Sequence, residues 1–257
     1  MKSKSLTSFA LASTLALASV SSLHAATIFT DNAGNYGGIW TNGSNGGTGF
    51  GAWTLTASGG TGFAGTFTGN PADASITGMS STSFGLYANP IGSGAFAIAE
   101  RSFASPLGVG DSFSFQWGIN YDSGTGGNKG FSIYTGGTGG TELINVNNGN
   151  SSVITIGGTD VGFGYGVAAM TWTITRTSET NLQVDATNRA AGAAYSGNIT
   201  ISGTAAPDSF KFYASGMQAG DQAQPYFNNL TVTVVPEPSS LGLLALSGLA
   251  LLRRRRA

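Results

Sequence analysis

The stretch DSFSFQWGINY, residues 111–121, alternates apolar and small or polar residues along almost its whole length. In an extended strand successive side chains point to opposite faces. Phe113, Phe115, Trp117 and Ile119 therefore share one face, and Ser112, Ser114, Gln116 and Gly118 the other. A helix, with its 3.6-residue period, would scatter both sets around its circumference. The same alternation recurs in WTLTA, where Trp53, Leu55 and Ala57 fall together, and in FSIY, VITI, MTWTITRT, LQVDA, NITIS, FKFYA and LTVTV. Clusters such as SGTGGNKG and TGGTGGT separate these runs, and the chain's 41 glycines supply positive φ and tight turns without steric cost. About a dozen short, half-buried strands at close spacing predict an all-β fold, a β-sandwich or jelly roll. A β-helix would need a sustained repeat of fixed period. The one echo, GGTGF at Gly46 and again at Gly59, is explained by two neighbouring strands with glycine turns.

The two ends have a different character. Lys2 and Lys4 precede the apolar, small-residue run LTSFALASTLALASVSSL, and LHA then offers a cleavage point after Ala25. This order of basic, apolar and small-residue regions predicts a secretory signal peptide over residues 1–25. At the other end, Pro236 and Pro238 flank Glu237 and bias the segment towards a stiff, extended stalk. Leu241 to Leu252 is uncharged and rich in Leu and Ala. As a helix it would be about 18 Å long, short of the roughly 30 Å of a hydrocarbon core. Extension through Ser239 and Ser240 and snorkelling by Arg253 narrow the gap. Arg253, Arg254, Arg255 and Arg256 would then stay on the cytoplasmic side and fix orientation. Four adjacent arginines repel one another and need water or lipid headgroups, which argues against a buried C-terminal helix.

The order Pro-Glu-Pro, short apolar helix and Arg cluster resembles a PEP-CTERM sorting signal. The resemblance covers residues 235–257. It implies recognition by an exosortase, a membrane-embedded transpeptidase-like protease. It also implies cargo that is anchored briefly in the inner membrane, cut near Pro236, Glu237 and Pro238, and passed to the cell surface or exopolysaccharide matrix of a Gram-negative bacterium. The body, residues 26–234, is similar in NGSNGGTGFGAWTLTAS, SFGLYA, RSFASPLGVGDSFSF and YFNNLTV to a recurring exported β-domain of unassigned activity. Its aromatic-rich alternation is also similar in style to concanavalin-like jelly rolls.

Within that body eleven acidic residues face five basic ones, Arg101, Lys129, Arg176, Arg189 and Lys211, a formal charge of −6. The whole-chain value of −1 hides this, because the remaining six basic residues sit in the two terminal segments. An acidic, Arg-poor body excludes nucleic acid as the expected partner. There is no cysteine, so an oxidising compartment adds no disulfide. The single histidine, His24, lies in the leader, so the mature chain has no His- or Cys-based triad, nucleophile or zinc site.

Paired carboxylates could still act on a glycosidic bond, but Glu100, Glu142 and Glu179 each lack an Asp two residues away. The expectation is a non-catalytic protein without a cofactor or metal centre. Calcium is the one ion with donors to consider, in DNAGN (Asp31 to Asn35) and NYDSGTGGN (Asn120 to Asn128). Neither has EF-hand spacing, and Asp and Asn favour turns for their own hydrogen bonds. Trp40 and Tyr121, with Tyr36, Tyr134 and Tyr165, lie near glycine-rich turns where a ring could stack on a sugar; core or turn packing is the competing reading. Trp53, Trp117 and Trp172 sit in alternating strands and read as core. Three functions are weighed: a non-catalytic surface or matrix protein associated with exopolysaccharide, a lectin-like glycan-binding module, and a polysaccharide-active lyase or hydrolase.

Overall fold

A computed structural model describes residues 26–120, 127–149, 153–188, 193–202 and 205–236. Ala25, Tyr121, Glu237, Pro238, the segment Leu241 to Leu252 and Arg253 to Arg256 lie outside the described residues, and so do the expected terminal helices. Among the described residues no helix is long and apolar enough to cross a membrane.

The described chain is built from strands β1 (Thr27–Asp31), β2 (Thr54–Ser58), β3 (Phe63–Gly69), β4 (Ser83–Asn89), β5 (Phe96–Ser102), β6 (Ser112–Gly118), β7 (Asn128–Thr135) and β8 (Thr141–Gly149). These are followed by β9 (Val153–Ile156), β10 (Thr159–Gly164), β11 (Met170–Ser178), β12 (Asn181–Asn188), β13 (Ala193–Thr200), β14 (Ser209–Ser215) and β15 (Tyr226–Val234). Three short 3-10 turns complete it, at Ala33–Tyr36, Pro71–Ala74 and Asp221–Ala223. The strands form two antiparallel sheets, the β-sandwich expected from the alternation. One runs β13-β12-β11-β6-β15-β4-β3, with β1 added on β15; the other runs β10-β9-β8-β7-β14-β5-β2. Local chemistry sets the connections. Between β9 and β10 the chain reverses on Gly157 and Gly158, both at positive φ (58° and 80°), as a two-residue hairpin turn demands.

The inward faces meet in one aromatic core. Phe113, Phe115 and Trp117 of β6 are at most 1% exposed, and Ile119 beyond the strand is fully buried. Phe212 of β14 stacks on Phe227 of β15 across the sandwich, with ring centroids 4.0 Å apart and planes 11° from parallel. Phe113 stacks on Phe210 at 4.7 Å, and Phe131 of β7 meets Phe115, Trp117 and Trp172 edge to face. Such pairs add to the burial energy that already dominates a core of this kind. At the sheet edge the pattern fades: along β2 Leu55 is half-buried and Ala57 exposed.

The two GGTGF segments have opposite fates. Phe50 is 5% exposed and packs on Phe103, Phe113 and Phe210, whereas Phe63 opens an edge strand at 73% exposure.

β15 is the organising strand. One side pairs with β6, and the other changes partner part-way, with Tyr226 and Phe227 opposite β4 and Leu230 to Val234 opposite β1. The change occurs at an irregularity between Asn228 and Thr231, where Asn229 takes a left-handed φ of 51°. This extra residue moves the inward parity by one, so that Phe227 before it and Leu230 and Val232 after it all face the core. The buried Asn228 side chain fills the gap between the two partners. Its Oδ1 accepts from the Ala33 amide (2.9 Å), and its Nδ2 donates to the Thr82 carbonyl (2.9 Å). β15 ends where the Val235 amide donates to Asp111 Oδ1 (2.8 Å), while Asp111 Oδ2 accepts from the Gly108 amide (2.8 Å).

Candidate ligand-binding groove

The outward face of the second sheet carries side chains that strand pairing places in rows. Asn147, Gly130, Tyr213 and Ile98 form one row across β8, β7, β14 and β5; Asn145, Ser132, Lys211 and Glu100 form the next. These positions alternate with the core residues Val146, Phe131, Phe212 and Ala99, so the packing that builds the core also fixes the outer array.

Gly130 is the point on which the array turns. A Cβ there would lie 2.0 Å from the Val146 carbonyl oxygen and 2.7 Å from the Tyr213 hydroxyl, a space no other residue can share. The Tyr213 ring instead lies across β7, with its hydroxyl 3.1 Å from the Val146 carbonyl and 3.2 Å from Asn147 Oδ1. Asn145 Nδ2 donates to Ser132 Oγ (3.0 Å) and to the Tyr213 hydroxyl (3.2 Å), and Asn147 Nδ2 donates to Asn128 Oδ1 (2.9 Å). Burial, reinforced by the charge of Glu142 and by Tyr134, pushes the Tyr213 phenol well above its ordinary value, against the opposing pull of the Asn145 hydrogen bond. Burial thus favours the protonated, hydrogen-bonding form of Tyr213. Lys211 Nζ sits 4.8 Å over the Tyr134 ring.

Tyr213, Asn145, Asn147, Asn128, Ser132 and Lys211 line a groove of about 390 Å³, to which Phe96 and Ile98 add apolar side chains. Among the described residues none of its lining groups is a carboxylate. Amides, hydroxyls and one amine beside apolar side chains suit a neutral, hydroxyl-rich ligand.

Of the residues singled out from the sequence, Asn128 lines this groove, Trp40, Tyr36, Tyr134 and Tyr165 do not, and Tyr121 lies outside the described residues. Trp40 is 6% exposed and packs on Trp53 (5.2 Å) and Phe84 (4.6 Å), so its ring faces belong to the core, the competing reading for that position. Tyr36 accepts from Trp53 Nε1 (2.9 Å) and donates to Asp31 Oδ2. Its phenol is raised above the ordinary value chiefly by burial, with the bond to Asp31 adding to it. Tyr134 is buried and donates to Glu142 Oε2 (3.0 Å).

In the DNAGN stretch the Asp31 carboxylate is taken by the Arg101 guanidinium, the Asn32 amide, Asn35 Nδ2 and Tyr36, and Asn32 Oδ1 caps the 3-10 turn at the Gly34 amide (2.9 Å). Most of the Asn120 to Asn128 loop, with Tyr121, lies outside the described residues, and among the described residues no three metal-ligating side chains gather.

The groove residues themselves carried a faint signal. In FKFYA and LINVN the outward positions are Lys, Tyr and Asn, where an ordinary solvated strand shows Thr and Ser.

No curated protein matches the chain. Among solved structures the chain is similar to the receptor-binding domain of botulinum neurotoxin mosaic serotype C/D, at 10% identity over 75% of this chain and 45% of that one, with a TM-score of 0.39. It therefore spans less than half the length of that domain. It is also similar to arcelin-5, a lectin-like defence protein from Phaseolus vulgaris, at 11% identity over 82% and 100% of the two chains, TM-score 0.41. A third likeness is to the conserved carbohydrate esterase vb_24B_21 from the Shiga toxin-encoding bacteriophage phi24B, at 14% identity over 71% and 90%, TM-score 0.40. Identities of this order transfer no site residue. The C-terminal segment is more definite: residues 234–256 match the PEP-CTERM protein-sorting motif, and the chain thus carries the signal of an exported protein that is held transiently in the membrane and processed by an exosortase.

Proposed function

We propose that the protein is a non-catalytic component of the cell surface or extracellular matrix, and that its β-sandwich holds exopolysaccharide along the outer groove of β5, β7, β8 and β14. The observation that carries this reading is the row of side chains over Gly130. Tyr213, Asn145, Asn147 and Ser132 form one connected set of hydrogen-bonding groups, held rigidly by sheet pairing and flanked by Phe96 and Ile98. Sugars present hydroxyls at the ring edge and C–H groups on the ring face, which match such a set of polar and apolar side chains. The absence of His and Cys from the mature chain supports binding without turnover.

In this reading Pro236, Glu237 and Pro238 are recognised by the exosortase, Leu241 to Leu252 stops transfer in the membrane, and Arg253 to Arg256 set orientation.

The test is co-sedimentation of the purified chain with exopolysaccharide extracted from the host. Retention that falls in Tyr213→Ala and Asn145→Ala supports the groove; equal retention of both variants refutes it. Release of reducing ends or unsaturated products would refute the non-catalytic part. Replacement of Pro236, Glu237 and Pro238 by alanine tests the sorting part, with loss of C-terminal processing as the expected result.

A further inference from the structure

A second groove, of about 370 Å³, lies on the outer face of the other sheet, where β3, β4 and β15 run side by side. Its floor is aromatic. Phe67, Gly85 and Tyr226 stand in one cross-strand row. The middle position has no side chain, so the Phe67 ring falls across it; a Cβ on Gly85 would lie 2.2 Å from that ring. Phe67 meets Tyr226 edge to face at 5.6 Å and Tyr87 at 6.2 Å.

Two 3-10 turns form the walls. Pro71–Ala74 brings Asp73, and Asp221–Ala223 brings Asp221, with Asn70 and Gln224 beside them. Gln224 Nε2 donates to Asp221 Oδ1 (3.3 Å), but neither carboxylate has a cationic partner among the described residues.

One side chain singles this groove out. Tyr226 is only 3% exposed, it lines the groove, and among the described residues its hydroxyl makes no hydrogen bond. Burial, then the charges of Asp221 and Asp73, push its pKa up to about 12, so both carboxylates act on the same hydroxyl. Two uncompensated carboxylates, an unpartnered hydroxyl and an aromatic floor together ask for a cation with an organic body. A hard metal ion would leave the rings unused, and among the described residues no three ligating side chains gather for one.

We propose that this groove binds a ligand bearing an ammonium group, held between Asp73 and Asp221 with one N–H donated to the Tyr226 oxygen and its carbon frame on the Phe67 and Tyr226 rings. The shared chemistry fits two sources: the free amine of a deacetylated amino-sugar polymer, or a small polyamine. The site does not depend on the groove around Tyr213.

Calorimetric titration of the full-length Tyr213→Ala chain, in which the glycan groove is disabled, with a glucosamine hexamer, its fully N-acetylated counterpart and spermidine tests the proposal. Binding of the glucosamine hexamer without spermidine identifies the polymer as source, and binding of spermidine alone identifies the small polyamine; the acetylated hexamer, which has lost its charge, is expected not to bind. Asp73→Asn and Asp221→Asn, both at exposed positions, should each weaken binding by about tenfold, and Tyr226→Phe by a few-fold. Equal binding of the acetylated and free-amine hexamers, no binding of either amine, or carboxylate variants that bind like the parent would each overturn it.

Discussion

The Asp31 carboxylate and the Arg101 guanidinium form an ion pair that joins the two sheets, and neither side chain exposes any surface to solvent. Asp31 ends β1 in one sheet, and Arg101 lies in β5 of the other. Arg101 also donates through Nε to the Gly51 carbonyl (2.5 Å) and through Nη2 to Asn45 Oδ1. Its guanidinium lies 4.7 Å from the Phe50 ring centroid and 4.9 Å from that of Trp53. Each of the three guanidinium nitrogens thereby donates to a named group, and two aromatic rings flank the buried cation.

Removing one member leaves the other charged and unpaired in the core. Arg101→Met should lower unfolding free energy by about 3–5 kcal/mol, read as a shift of the urea midpoint at unchanged slope. In Asp31→Asn/Arg101→Met the loss should be smaller than the sum of the two single losses, because the pair is one unit.

The stack of Phe212 on Phe227 is the tightest ring contact between the sheets, and Phe212→Ala should cost about 3–5 kcal/mol. Phe212→Leu, which keeps most of the volume, should cost clearly less; paired denaturation curves check the order.

Much of this core was legible in advance, for a physical reason. Period-two alternation reports directly which side chains a strand turns inward, so Phe113, Phe115, Trp117 and Ile119 could be placed from DSFSFQWGI alone. The same rule, carried along AIAERSF, puts Arg101 inward in line with Ala97, Ala99 and Phe103, an early sign of a buried cation. In YFNNLTVTV the apolar parity changes across the Asn pair, which is where the strand bulges. What could not be read is adjacency between distant strands. Tyr213 meets Asn145 and Asn147 only because β14 lies beside β7 and β7 beside β8, and Tyr226 meets Phe67 only through β4. Strand order is decided by long-range packing, and local sequence carries no record of it. The identical GGTGF segments show the limit most plainly: Phe50 is core and Phe63 is surface because their neighbours differ.

Asn228 should behave as a structural rivet. Asn228→Ala leaves the Ala33 amide and the Thr82 carbonyl without partners, at about 1–3 kcal/mol for each. Amide hydrogen exchange at Ala33 should accelerate more than exchange in β11, which lies away from the defect.

Alkaline stability should report on Tyr226. Its folded pKa, about 12, stands above the ordinary 10.0 of a tyrosine phenol. The folded state therefore holds the proton more tightly than the unfolded chain does. This contribution is complete below about pH 10 and is lost as pH rises through about 12. A plot of unfolding free energy against pH should fall over that window, and the fall should be shallower in Tyr226→Phe.

The bond from the Val235 amide to Asp111 ends a strand that is flanked on both sides, and Thr27 at the other end of the body pairs directly with Val234. A pull on Val235 therefore runs along β15 and loads the rungs to β6 and β1 in shear, all at once, where an edge strand would peel away one rung at a time. A body anchored through its central strand resists drag as a whole, and the first bond to feel the load is the one that Asp111 holds.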